Sequence, residues 1–167
     1  MTDTQPNTAS ALPNPECDLV LERVVPVAPE LVLAAWTEPE RIVQWFTPAP
    51  WKTTDAEVDL RPGGIFRTRM ESPDGDMVND ESGCVLDYVP GERFVFTGAM
   101  GPGFRPNVGE MLFTAVIAVA PEGDGCRYTA TVMHATPETA AKHAEMGFFD
   151  GWGAALDQLV ELVQSES

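Results

Sequence analysis

The chain has 167 residues, 44% of them hydrophobic and 22% charged, enough for one globular domain that needs no disulfide or metal to fold. Ten Lys and Arg against 26 Asp and Glu give a formal charge of −16, with no basic cluster to offset it. Such a surface repels phosphate backbones and anionic headgroups, so nucleic acid and membrane are excluded as partners.

Residues 1–16, MTDTQPNTASALPNPE, are polar and Pro-rich and lack the basic and apolar regions of a signal peptide. They read as a disordered tail ahead of a single domain at 17–165. No apolar run approaches the roughly 18 residues of a membrane span. Cys17, Cys84 and Cys126 form no CxxC pair and have no nearby His pair, which points to reduced thiols in a cytoplasmic protein. No metal and no cofactor is expected.

CDLVLERVV (17–25) reads as a first strand. VAPELVLAAWT opens a helix near Pro29 with Leu31, Ala34, Ala35 and Trp36 on its apolar side, and PERIVQWF adds a second short helix with Ile42, Val43, Trp45 and Phe46 inward. TPAPW (47–51) stops it. Strands follow at 53–60, 65–70, 77–89, 92–100, 111–120 and 126–135, joined by Gly- and Pro-containing turns such as RPGG and SPDGD and by the longer GPGFRPNVGE (101–110). TPET (136–139) offers a Thr N-cap with Pro behind it, and Gly147 divides two helical stretches. In the second stretch Phe149, Trp152, Leu156, Leu159, Val160 and Val163 recur at three- and four-residue steps, opposite Asp157 and Glu161.

The order predicts an α+β fold: a curved antiparallel sheet of about six to seven strands wrapped around one long C-terminal helix, with two short helices after strand 1. A twisted sheet and a straight helix cannot touch along their whole length, which predicts a gap between them.

Four stretches then resemble a known family. WTEPERIVQWF looks like the helical signature of the SRPBCC (START-like, Bet v-like, helix-grip) superfamily, in the branch named after the activator of heat shock protein 90 ATPase. RPGGIFRTRMESPDG resembles its Gly-Gly strand and turn, GCVLDYVPGERFVFT its strand–Pro–strand hairpin, and MHATPETAAKHAEMGFFDGWGAALDQLVELV its closing helix. The resemblance implies a cavity for a small hydrophobic or amphipathic molecule. A chaperone partner is not expected, because the eukaryotic namesake grips the chaperone with a separate N-terminal domain and this chain has a short tail there. Stimulation of a chaperone ATPase stays as an alternative, as does a homodimer through strand edges or the 101–110 loop.

Alternation assigns the cavity face. Arg67 and Arg69 outward place Phe66, Thr68 and Met70 inward. Asp87 outward places Cys84, Leu86 and Tyr88 inward and brings Asp80 and Ser82 to the mouth, unless a bulge at Gly83 shifts the register. Phe94 and Phe96 share a face. For Phe113, and for His134 in the last strand, either parity is open. Trp45 and Phe46 are expected to roof the pocket beside Trp51, with Trp36 as anchor and Phe149 and Trp152 on the closing helix. A second reading is a cyclase or hydrolase acting on a polyketide-like or aromatic substrate. Its acid–base pair would be Asp80 or Glu71 with His134, while His143 is expected in solvent; no nucleophile, Walker or metalloprotease motif is present.

Overall fold

A computed structural model describes residues 14–166; of the tail expected at 1–16, residues 1–13 lie outside the described residues, while 14–16 enter a turn in which Asn14 Oδ1 accepts the Glu16 N–H at 3.0 Å. Seven strands form one antiparallel sheet: β1 (Asp18–Val25), β2 (Lys52–Val58), β3 (Ile65–Glu71), β4 (Val78–Val89), β5 (Arg93–Thr97), β8 (Phe113–Glu122) and β9 (Gly125–His134). Their order across the sheet is β1-β9-β8-β5-β4-β3-β2, so the two ends of the meander form the edges. The 101–110 segment is not a free loop. It folds back as a short pair, β6 (Met100–Gly101) and β7 (Arg105–Pro106), around a 3₁₀ turn.

Two short helices, α1 (Pro29–Thr37) and α2 (Pro39–Trp45), follow β1, each opened by proline. That proline has no N–H to leave unpaired in the first turn. At the C-terminus, α3 (Pro137–Glu145) starts at Thr136, whose hydroxyl accepts the Thr139 N–H at 3.2 Å. The turn into α4 (Phe148–Ser165) runs through Gly147 at φ +94, a left-handed conformation that glycine adopts without a Cβ clash. Among the described residues no helix is long and apolar enough to cross a membrane.

The core lies between the concave sheet face and α1, α2 and α4. Cross-strand register fixes that face: Phe66 opposes Gly83, Val85 opposes Phe96, Phe94 opposes Ile117, Ala115 opposes Val132 and Phe113 opposes His134. Both open parities are thereby settled, with Phe113, Ala115 and Ile117 inward in β8 and Tyr128, Ala130, Val132 and His134 inward in β9. Two helix-face expectations need correction. In α1, Leu31 is 43% exposed while Val32 and Leu33 are sealed; in α4, Phe149 is 48% exposed and Phe148 takes the core position. Each shift is one residue, because one flanking turn sets where the apolar arc begins.

One polar side chain ties the Pro-rich loop to the long helix. Gln158 in α4 donates to the carbonyls of Trp45 (2.8 Å) and Thr47 (2.9 Å), and its Oε1 accepts the Ala49 N–H at 2.9 Å. At about 1 kcal/mol per hydrogen bond, Gln158→Leu should lower the unfolding free energy by about 2–3 kcal/mol. A denaturant titration checks this, with faster exchange of the Ala49 amide as the local signature. An unchanged midpoint would show that other contacts hold the loop.

Candidate functional site

The concave face is lined by rings in mutual contact. Trp36 from α1 is the hub: its ring meets Trp45 at 4.8 Å, Phe46 at 5.7 Å, Phe96 at 5.6 Å, Phe94 at 6.3 Å and Trp152 at 6.3 Å. Phe66 joins through Phe96 (4.4 Å) and Phe46 (6.2 Å), and Tyr88 touches Phe94 at 6.4 Å. A second group gathers at the other end, where Phe113, His134, His143 and Phe148 meet one another. Trp152 connects the two groups, since it contacts Trp36 on one side and Phe113 (6.0 Å) and Phe148 (5.1 Å) on the other.

Most predicted lining residues therefore converge. Trp45, Phe46, Phe66, Phe96, Phe113, His134 and Trp152 belong to one ring network, with Tyr88 at its margin. Thr68 is buried and Met70 half-buried on the face of Phe66. Phe149 reaches the network only by its edge on Phe148 at 4.9 Å, and Trp51 is half-buried with no ring contact among the described residues. Leu86 is the extra residue of a bulge between Val85 and Asp87, so it opposes nothing in β5. That bulge corrects the β4 reading. Val85, not Cys84, points inward beside Phe96, and Cys84 shares the other face with Thr97.

The register also moves the proposed acids. The shift lies at Leu86 rather than Gly83, so Asp80 and Ser82 oppose Arg69 and Arg67 on the convex face. Arg67 donates to both oxygens of Asp80 at 2.9 and 2.8 Å, which holds that carboxyl below its ordinary range; Arg69 donates to Oε2 of Glu71 and lowers that carboxyl too. Neither acid meets His134, so that acid–base pair is not assembled.

The interior is filled rather than open. Two recesses lie elsewhere: one of about 420 Å³ between the β2–β3 turn and Phe104, and one of about 370 Å³ beside Gln44 and Leu162. Within the ring network, Phe113, Trp152 and Phe46 are only half-buried, whereas Trp36, Trp45, Phe94 and Phe148 are sealed. One polar atom stands out. Trp36 Nε1, on a side chain 2% exposed, makes no well-formed hydrogen bond. It faces the Tyr128 hydroxyl without making a hydrogen bond of normal geometry, and burial pushes that phenol well above its ordinary pKa. Trp45, by contrast, donates its Nε1–H to the Ala35 carbonyl at 2.9 Å.

Sequence reasoning missed the histidine pair. His143 is 8% exposed, not solvated: the α3–α4 corner folds it under, stacked on Phe113 at 5.2 Å with its Nδ1 2.9 Å from His134 Nε2. The one available signal was the i, i+3 spacing of Ala140 and His143, the two buried residues of α3.

With this geometry, comparison with known proteins is direct. The family described as Activator of Hsp90 ATPase homolog 1-like protein matches residues 26–164. The chain belongs to this family. Membership of the AHSA1-like family places it in the SRPBCC superfamily, as the four sequence stretches imply; the matched span begins just after β1. A Nitrosomonas europaea protein superposes with a TM-score of 0.88 at 44% identity, over 92% of this chain and 97% of that one. AHSA1-like proteins of Aeromonas hydrophila (TM-score 0.68, 23% identity, 89% of this chain and 93% of that one) and Silicibacter pomeroyi (0.67, 24%, 90% and 99%) share the fold. None of the curated proteins matches the sequence.

Burial, assisted by the neighbouring His134, lowers the His143 pKa from 6.5 to about 4. As pH falls through 6.5 the unfolded chain takes up a proton at this position, while the folded chain does not until about 4. The stability present above pH 6.5 is therefore lost progressively on acidification, by about 3 kcal/mol in full at 1.4 kcal/mol per pKa unit. Denaturant midpoints between pH 7 and 4.5, above the range of the paired carboxylates, should fall in the native protein and stay flatter in His143→Phe. Equal slopes would refute this.

Proposed function

We propose that the protein binds a small, uncharged amphipathic molecule at the Trp152–Phe113 junction, between the concave sheet and α4. The observation that carries this reading is the wall of half-buried rings at Trp152 and Phe113, with the sealed Trp36 Nε1–H behind it offered only a poorly aligned Tyr128 hydroxyl. A buried donor left unpaired costs about 1–3 kcal/mol, and such groups mark places where something outside the polypeptide completes the site. A carbonyl or hydroxyl oxygen of a guest does so here.

The half-buried rings support the same location. Trp152 joins the two aromatic groups through Phe113, and both are half-buried, so parting them would open a route toward Trp36. Apolar walls with few polar groups are the ordinary make-up of a small-molecule site. The guest is accommodated by movement of the half-buried rings that pack against the core.

A neutral solvatochromic dye with a carbonyl acceptor, Nile red, provides the test. It should bind saturably at one site with a blue-shifted emission, and Trp36→Phe, which keeps a ring and removes the N–H, should weaken it about fivefold to tenfold for one lost hydrogen bond. Trp152→Ala should weaken it as well. Absence of saturable binding by the folded protein would overturn the proposal. Unchanged affinity in Trp36→Phe would mean that a trapped water, not a guest, serves the indole.

A further inference from the structure

The recess between the β2–β3 turn and the 3₁₀ turn Pro102–Phe104 shares no residue with the ring network and has walls of its own. The two turns are clamped together. The Gly63 N–H donates to the Val85 carbonyl at 2.8 Å, and the Gly103 N–H to the Gly63 carbonyl at 2.7 Å. Phe104 forms one wall. Among the described residues it is the single non-glycine with positive φ (+65), and its ring lies so close over Gly63 that a Cβ there would meet it at 2.8 Å. Bulky residues seldom hold that backbone conformation, and where they do it often serves a binding or switching role. Here it holds a phenyl ring, 49% exposed, on the wall of a recess of about 420 Å³.

The charged lining is unevenly matched. Asp59 is satisfied within the chain, since Arg61 Nε donates to its Oδ2 at 2.8 Å. Glu57 is not. Its cross-strand neighbour is Arg67, but that guanidinium is taken by Asp55 and Asp80, and Glu57 forms no ion pair among the described residues. A free carboxylate and a half-exposed ring thus line one recess, in a chain of formal charge −16 that draws cations toward it. From this juxtaposition we infer that the recess is a second site, which takes a small guanidinium compound. Its plane lies on Phe104, its N–H groups donate to Glu57, and its alkyl stem runs along Pro62 and Pro102. A guanidinium suits these walls better than an ammonium, because it is planar, more weakly hydrated and able to fork onto a carboxylate. The Arg61–Asp59 pair is the same chemistry made within the chain at the same recess. The volume is in the ordinary range of a small-molecule site.

Three probes, titrated into the full chain at physiological salt and followed by amide NMR shifts, test this. Butylguanidinium and butylammonium share a stem and a charge and differ in the head; N-acetylargininamide presents the guanidinium as a polypeptide would. Butylguanidinium should saturably shift the amides of Gly63, Gly103 and Phe104, with its own protons moved upfield by the Phe104 ring, and butylammonium should bind more weakly. Glu57→Gln, at an exposed position that leaves folding intact, should weaken butylguanidinium about threefold to fivefold, and Phe104→Leu by a similar factor. Glu161→Gln, at the other recess, should change nothing. Shifts that fail to saturate or that spread over the acidic surface overturn the inference, as do equal binding of the two heads and unchanged affinity in Glu57→Gln. Weaker binding of N-acetylargininamide supports a free compound as the source, and tighter binding overturns that source in favour of an arginine side chain. Butylguanidinium should leave bound Nile red in place; displacement of the dye overturns the separate site. Loss of Nile red binding alone overturns only the role proposed above.

Discussion

A curved antiparallel sheet and a straight helix diverge along their length, and the space between them has to be occupied by side chains of unequal reach. In this protein rings occupy it, organised by the contact of Trp36 with Trp45, Phe46, Phe94, Phe96 and Trp152. Trp36 comes from α1, its partners from α2, β5 and α4, so one side chain fixes the relative position of four elements. Aromatic pairs contribute about 0.5–1.5 kcal/mol each beyond the area they bury, which makes this junction a main source of orientation as well as stability. Gln158 adds the polar counterpart by holding the end of α2 and the loop after it to α4.

Filling a core with indole and imidazole rings brings polar atoms inside with them. Trp45 and His134 resolve this on backbone carbonyls, of Ala35 and Cys17 respectively. Trp36 Nε1 finds no well-aligned acceptor, and His143 Nδ1 is paired with His134 Nε2 at 2.9 Å.

The architecture was legible because its signals are periodic. Arg67 and Arg69 alternate with Phe66 and Thr68, and the register confirms the facing this implies; proline at the start of α1, α2 and α3 and glycine between α3 and α4 mark the boundaries. What was not legible depends on single residues breaking the period. A bulge beside Leu86 inverts the parity that carried Cys84, Asp80 and Ser82 inward, and no residue at that point announces it. The parity of β8 and β9 had no charged marker on either strand's centre to decide it. His143 looked solvated because α3 is polar overall, with Glu138, Lys142 and Glu145 around it; only its docking against β9 and Phe113 takes it inside. Tertiary contact, not local pattern, decides a lone histidine's surroundings.

Charge narrows the chemistry of the site further. The formal charge of −16 surrounds a core whose titratable groups are histidines, cysteines and a tyrosine, with Arg23 reaching in from β1 toward Asp157. An anion approaching this surface meets an unfavourable field and finds inside no free cation among the described residues. A neutral molecule crosses the field unaffected. The acid excess of the surface thus agrees with the proposed uncharged guest.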